Sequence, residues 1–302
     1  MSGFEPRDLD ALIVGGGPAG LTCAIYLARY RRKAVIVDSG QSRAALIPET
    51  HNYPGFADGI GGPKLLEALT LQTKIYGVEI IKDRVTELQF RGDFEARYSR
   101  GIIRAKRVVM ASGLVDRDLG DSVLRAAVPD GLVRYCPICD GFEASDLSIG
   151  VLGSANDVGT KALFLRTYSR HVTLMTLDGA ECREPLAREL SEAGVRVLAA
   201  RAVSFRRQDK QMIVSLSDGT SEVFDVIYPV LGCEVRSELG RKLGARHNET
   251  GCLEVDACQQ TNVPGLYAVG DAVSDLHQIA VATGHAAVAA THIHNSLPRN
   301  FR

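Results

Sequence analysis

The sequence predicts an α/β chain made of two Rossmann-like units, and three observations carry that expectation. A strand, a glycine turn, a helix and a second strand follow one another over residues 11–38. A similar run recurs over 148–176. The length of 302 residues also suits two domains of roughly 150 each.

In the first run ALIV is the strand and GGGPAG the turn. LTCAIYLARY, with Leu21, Ile25 and Leu27 on one side, is the helix, and AVIVD is the closing strand. A helix is expected after Gly62 (PKLLEALTLQTKIYG), short strands near 78–98, and a strand at RVVMASG, whose small residues signal a chain re-entry. The second run reads SIGVLG as strand, Val158 to Tyr168 as helix and HVTLMT as strand. A polar helix (REPLARELSEAG), the strand VRVLA, and a hairpin over MIVSLSDGTSEVFDVIYPVLG with its turn at Ser217 to Thr220 follow. GLYAVGD is a strand ending at an acid. Gln278 to Asn295 form a helix rich in Ala and Gly, able to lie close to a backbone or a flat ligand.

Composition narrows the function classes. Hydrophobic residues are 45% and charged residues 24%, as in a globular chain rather than a disordered or fibrous one. Lys and Arg number 35 against 36 Asp and Glu, so no basic excess favours nucleic acid or anionic lipid. No apolar run reaches the roughly 18 residues of a membrane span, and the acidic start MSGFEPRDLD is unlike a signal peptide, so a cytoplasmic location is expected. Of seven cysteines only Cys136 and Cys139 are close in sequence; Cys23, Cys182, Cys233, Cys252 and Cys258 stand singly.

Gly15-Gly16-Gly17-Pro18-Ala19-Gly20 directly after a strand fits G-x-G-x-x-G. There the glycines permit a tight turn and bring backbone N–H groups at a helix N-terminus against a pyrophosphate. Asp38 ends the next strand, where a carboxylate accepts hydrogen bonds from ribose hydroxyls. The second copy, Gly153-Ser154-Ala155-Asn156-Asp157-Val158, keeps only the first glycine. Thr176-Leu177-Asp178 after its closing strand offers no cation for a 2′-phosphate. Asp178 there suits a free ribose 2′-hydroxyl, favouring NADH over NADPH, or is simply an acidic turn residue.

Cys136-Pro137-Ile138-Cys139 is a C-x-x-C, a spacing at which two thiols close a small reversible disulfide. It is also half of a zinc site, though the other cysteines are too scattered to supply the second half. Asp140 follows and could exchange protons with the thiols, or serve as a solvated turn acid. His277, His285, His292 and His294 cluster near the C-terminal helix with no evident metal partner and read as surface or packing residues.

GGGPAG, HNYPGF, ASG, CPICDGF and GLYAVGDA, in this order and spacing, resemble the low-molecular-weight thioredoxin reductase family of FAD-dependent disulfide reductases over nearly the whole chain. The resemblance implies two Rossmann-like nucleotide-binding domains, the second inserted in the first, in a homodimer. An FAD domain would comprise 1–113 plus 249–302, and an inserted NAD(P)-type domain with the C-x-x-C would comprise 114–248. By the same resemblance Gly15, Gly17, Pro18, Ala19 and Gly20 match the FAD pyrophosphate loop, and Asp38 takes the place of the usual Glu, followed by Ser39, Gln41 and Arg43. Asn52 matches the flavin-side Asn, Val85 a strand residue beside the adenine, and Gly113 the end of the A-T-G-like turn. Gly270 and Asp271 match the second FAD motif, and His277, Gln278 and Ile279 the segment over the flavin pyrimidine edge, with His277 replacing the usual Arg.

Cys136, Cys139 and Asp140 match the family's C-x-x-C-D. There the first Cys attacks the partner's disulfide, the second faces the flavin, and the Asp moves the proton. The resemblance implies a thioredoxin-like protein or a small dithiol or disulfide as partner. The inserted domain departs from the family: its glycine loop is degraded, and Thr176-Leu177-Asp178 replaces a His-Arg-Arg segment. Relatives that depart in this way resemble thiol oxidases that pass electrons to oxygen, or reductases fed by ferredoxin. A flavin- or zinc-binding protein without turnover is the non-enzymatic alternative.

Overall fold

The computed structural model describes residues 8–273 and 276–301. Strand β1 (Asp8–Val14) runs into helix α1 (Pro18–Arg29) and strand β2 (Ala34–Asp38); α2 (Gly62–Ile75) and β3 (Glu79–Lys82) follow. Strands β4 (Glu87–Arg91), β5 (Asp93–Tyr98) and β6 (Gly101–Met110) form a meander. The chain leaves this unit through β7 (Leu114–Asp116).

The second unit contains α3 (Ser122–Ala127), the one-turn helix α4 (Pro137–Asp140), β8 (Ile149–Gly153), α5 (Ala155–Leu165) and β9 (Val172–Thr176). It continues through α6 (Leu186–Glu192), β10 (Arg196–Val197), β11 (Ala202–Gln208), β12 (Gln211–Leu216), β13 (Ser221–Phe224) and β14 (Val226–Val230). The chain returns through β15 (Cys233–Val235), which pairs with β7, and finishes with α7 (Glu238–Lys242), β16 (Leu266–Ala268) and α8 (Ile279–Ser296).

Each unit has the expected Rossmann-like sheet. In the first, β3, β2, β1, β6 and β16 pair in parallel in that order, and β5 and β4 extend the sheet antiparallel from β6. In the second, the order is β10, β9, β8, β14, all parallel, beside an antiparallel sheet of β11, β12 and β13. The central strands β2, β8, β9 and β14 are mostly apolar and almost wholly buried because packed residues cover both faces of each sheet. In the first unit α1 and α8 pack through Ala19, Cys23, Ala24, Ala282, Ala286, Ala289 and Ala290, whose small side chains let the two backbones approach closely.

Several expectations are corrected. Helix α5 starts at Ala155 rather than Val158, because Ser154 O already accepts from the N–H groups of Asp157 and Val158. The strand expected over VRVLA shrinks to Arg196–Val197, and the helix before it to Leu186–Glu192. The Ser217–Thr220 turn does join two antiparallel strands, but Val226–Val230 leaves the hairpin and pairs with β8. Residues 234–248 pack with the first unit: Arg236 N–H donates to Gly113 O at 2.9 Å, and Leu239 and Leu243 pack on that unit's core. Residues 48–59 cluster with the second unit.

Candidate active site and cofactor cradle

In the first unit the glycine turn is fixed by close approaches. Gly15 has φ +111°, and a Cβ there would lie 2.3 Å from Ala111 O at the end of β6. A Cβ on Gly20 would lie 1.9 Å from Gly15 O, so only glycine lets α1 start so near the strand. Gly17 caps α1 with no side-chain bond, Pro18 supplies the preset first-turn φ, and no acid sits in that first turn. The helix therefore presents its positive end and first-turn N–H groups to an anion. Asp38 reaches the turn from the end of β2, its Oδ1 accepting from Gly16 N–H at 2.9 Å.

The other end of the chain closes on the same turn. Gly270 has φ +67°, and a Cβ there would come within 3.0 Å of Ala19 Cβ; this brings Asp271 beside α1, where its Oδ2 pairs with Arg43 at 3.5 Å. Gln41 accepts from Arg84 at 2.9 Å through Oε1 and from Arg236 at 3.0 Å through its carbonyl. Gly113, φ +66°, lies at the turn after β6, and exposed Ser39 follows β2. His277 precedes Gln278, the N-cap of α8, and Ile279, its first residue. Its Nε2 is buried with no hydrogen-bond partner among the described residues. A glycine cradle that side chains would fill, an uncapped helix start and an orphaned buried imidazole nitrogen together fit a dinucleotide such as FAD.

Two of the expected cofactor residues are placed differently. Val85 lies in the connection between β3 and β4 rather than in a strand, and is buried in the core. Asn52 belongs to the second unit: its Nδ2 donates to Ile138 O at 3.2 Å, and its Oδ1 accepts from buried Thr50 at 2.9 Å.

Cys136 and Cys139 form a disulfide across α4, with Cα atoms 5.3 Å apart. One helical turn brings the two residues together: Cys136 is the N-cap, Pro137 presets the first turn, and Cys139 N–H donates to Cys136 O at 2.9 Å. Asp140 ends the turn. Burial pushes its carboxyl up to about 6, against the lowering effect of a hydrogen bond from Tyr228 and of the Arg134 charge. Tyr228 Oη donates to Asp140 Oδ1 at 2.8 Å, and Arg134 Nη1 donates to Asp140 O at 2.8 Å. Sequence reasoning missed both partners.

The loop after β8 is built differently from the cradle. A Cβ on Gly153 would lie 2.3 Å from Val230 O, so this glycine serves the β8–β14 approach. Ala155 is buried, and its carbonyl accepts from Cys182 Sγ at 3.2 Å. Asp157 lies in the first turn of α5, its Oδ2 accepting from Ser154 Oγ at 2.6 Å. A carboxylate thus already occupies the positive end of this helix. Thr176 is buried, with no partner for its Oγ1 among the described residues, and exposed Asp178 turns back to accept from Ala180 N–H at 3.1 Å.

Two of the C-terminal histidines serve packing: His292 Nδ1 bonds Tyr267 Oη at 2.9 Å, and His294 Nδ1 accepts from Arg32 Nε at 3.0 Å. Among the described residues no helix is long and apolar enough to cross a membrane.

Residues 9–286 match the family described as pyridine nucleotide-disulphide oxidoreductase. The thioredoxin reductase of Streptomyces coelicolor is 29% identical over 292 residues, covering 90% of this chain and 88% of its own. The thioredoxin reductase of Mycolicibacterium smegmatis is also 29% identical, with 93% and 94% covered. The crystal structure of HlmI superposes with a TM-score of 0.90 at 29% identity, covering 97% of this chain and 94% of that one. The chain thus belongs to the pyridine nucleotide-disulphide oxidoreductase family, and within it is a thioredoxin reductase-like, FAD-dependent disulfide oxidoreductase.

Proposed function

We propose that this enzyme exchanges electrons between its flavin and an external dithiol or disulfide through Cys136 and Cys139, with Asp140 moving the proton, and that NADPH does not drive it efficiently. The observation that carries the relay is the Cys136–Cys139 disulfide closed on one helical turn that ends in a half-buried acid. FAD, when bound, supplies the two-electron donor and acceptor. By the family resemblance Gly15, Gly17, Pro18, Ala19, Gly20, Asp38, Ser39, Gln41, Arg43, Val85, Gly113, Gly270, Asp271, His277, Gln278 and Ile279 hold it, with Asn52 on the flavin side.

In the reductive direction Cys136 thiolate attacks the partner's disulfide. A Cys136–partner bond forms, the partner's S–S bond breaks, and the departing thiolate takes the proton from Asp140. Cys139 thiolate then attacks Cys136 Sγ, re-forming the internal disulfide and releasing the second partner thiolate, which takes a proton from water. The cysteines lose two electrons and the partner gains two. A thioredoxin-like protein or a small disulfide has the chemistry to accept them. The same exchange run backwards, with oxygen as final acceptor, is a dithiol oxidase.

The second reading gains from the α5 loop. An incoming pyrophosphate meets Asp157 instead of free N–H groups, and no cation at Thr176 to Asp178 meets a 2′-phosphate. Each lost charge-assisted contact is worth roughly 1.5 to 3 kcal/mol. NADH, lacking the phosphate that Asp178 repels, should do no worse than NADPH, and ferredoxin remains the alternative donor. We expect rapid anaerobic mixing to bleach the flavin fully with dithionite and slowly or not at all with NADPH. Full bleaching by micromolar NADPH within milliseconds would make this an ordinary NADPH-dependent reductase. Oxygen uptake with a dithiol, against disulfide reduction with pre-reduced enzyme, separates the two directions.

A further inference from the structure

Outside the redox turn, one buried side chain reaches its acid directly: Tyr228 on β14. It is fully buried and 88 residues from Asp140 in sequence, and it places its hydroxyl 2.8 Å from Asp140 Oδ1. The same hydroxyl lies 3.2 Å from Asp140 O, but a phenol has a single proton and the shorter contact takes it. Arg134 fixes its direction. The guanidinium is held by Gly131 O at 2.9 Å and Asp140 O at 2.8 Å, and its charge acts on the Tyr228 hydroxyl. A cation near a hydroxyl turns the hydroxyl proton away from itself, and the Asp140 carboxylate is within reach at 2.8 Å.

We infer that Tyr228 is a positioning residue for the redox turn: steered by Arg134, its hydroxyl holds Asp140 Oδ1 and leaves Oδ2 as the oxygen that carries the exchangeable proton. The inference deepens the reading in which Asp140 moves protons for the cysteines and rests on it. When the acid gives up its proton, the Oδ2–H bond breaks, an S–H bond forms on the departing thiolate, and the new negative charge is met by a hydrogen bond already in place. Besides Tyr228 and Arg134, the charge acting on Asp140 is Glu143, from the turn that follows α4. Tyr168, beyond α5, packs on the adjoining Gly141.

The direct readout is the titration of Asp140 in the FAD-loaded protein carrying ¹³C-labelled aspartate carboxyls, its signal assigned by its loss in Asp140→Asn. Tyr228→Phe keeps the ring and removes the donor. The Asp140 midpoint should move up by about one pH unit, raising the protonated fraction at pH 7 about fivefold. Site-specific 3-fluorotyrosine at 228, a stronger donor of nearly the same shape, should move the midpoint down. This opposite sign cannot come from a damaged fold, and it serves as the test on its own if the Phe variant fails to fold. A midpoint unmoved by both changes, or moved upward by fluorotyrosine, overturns the proposal. The pH profile of thiol–disulfide exchange is read alongside. If the carboxyl midpoint moves as expected while that profile stays fixed, the hold of Tyr228 on Asp140 stands, and Asp140 as the proton carrier falls.

Discussion

An aspartate in water ionises at about pH 4, whereas Asp140 beside the Cys136–Cys139 disulfide keeps its proton up to about pH 6 because burial disfavours the charge. The shift has a consequence for stability whose sign is fixed. Between about pH 4 and about pH 6 the folded chain binds this proton and the unfolded chain does not, so stability falls as pH rises through that window. The penalty is absent below the window and complete above it, at up to about 3 kcal/mol. Asp140→Asn cannot ionise, and its amide oxygen can still accept from Tyr228. Its thermal midpoint should match that of the unaltered protein at pH 4 and exceed it at pH 7.5; an equal gap at both pH values would contradict the burial argument. At this scale the sequence is informative only where the chemistry is local. C-x-x-C-D is legible because one helical turn brings its members together. Tyr228 is not, since VIYPV reads as an ordinary core strand and its partner lies 88 residues away. Asp157 stood in plain view, but its effect depends on α5 starting at Ala155, earlier than the apolar pattern suggested.

Elements were legible where one pattern of spacing determined them. The β1–turn–α1–β2 run could be read because glycines, a proline and an apolar helix face all agree within one short stretch. Strand β14 was misread as a continuation of the hairpin, because its pairing with β8 is long-range and leaves no local mark. Two glycines in helices separate what the cradle needs from what it does not. A Cβ on Gly20 in α1 would lie 1.9 Å from backbone oxygen, whereas one on Gly284 in α8 meets nothing within 4 Å. Gly20→Ala should force α1 away from the strand end, release FAD and lower the thermal midpoint. Gly284→Ala should raise the midpoint of flavin-free protein, by about 0.5 to 1 kcal/mol in stability, through better helix propensity. Flavin content after gel filtration and thermal unfolding of both variants check the pair. Retention of FAD by Gly20→Ala would show that the close approach is not needed for binding.

The first unit is assembled from three stretches of chain, ending at Ile47, spanning Ile60–Val115, and resuming at Glu234. The two crossings out of and back into this unit leave different marks in the sequence. The exit near Gly113 follows a visible strand end, while the return sits in an irregular stretch whose side chains disclose their unit only by packing, as Leu239 and Leu243 do on the first core. The cradle draws on both ends of this unit: Gly15 to Gly20, Asp38 and Arg43 come from the first stretch, and Asp271 and His277 from the last. A ligand held there binds only when the separated stretches are together, so it stabilises the folded chain by mass action and leaves the unfolded chain unaffected. At a thousandfold excess over its dissociation constant the gain is about 4 kcal/mol, a rise in thermal midpoint on the order of 10 °C. The purified protein should therefore be yellow, with about one FAD per chain. Stripping the flavin should lower the midpoint by that order, and adding FAD back should restore it in a concentration-dependent way. Riboflavin, which lacks the pyrophosphate that the α1 N-terminus would receive, should restore little of it. A midpoint independent of FAD, or restored equally by riboflavin, would remove the glycine turn from the binding site.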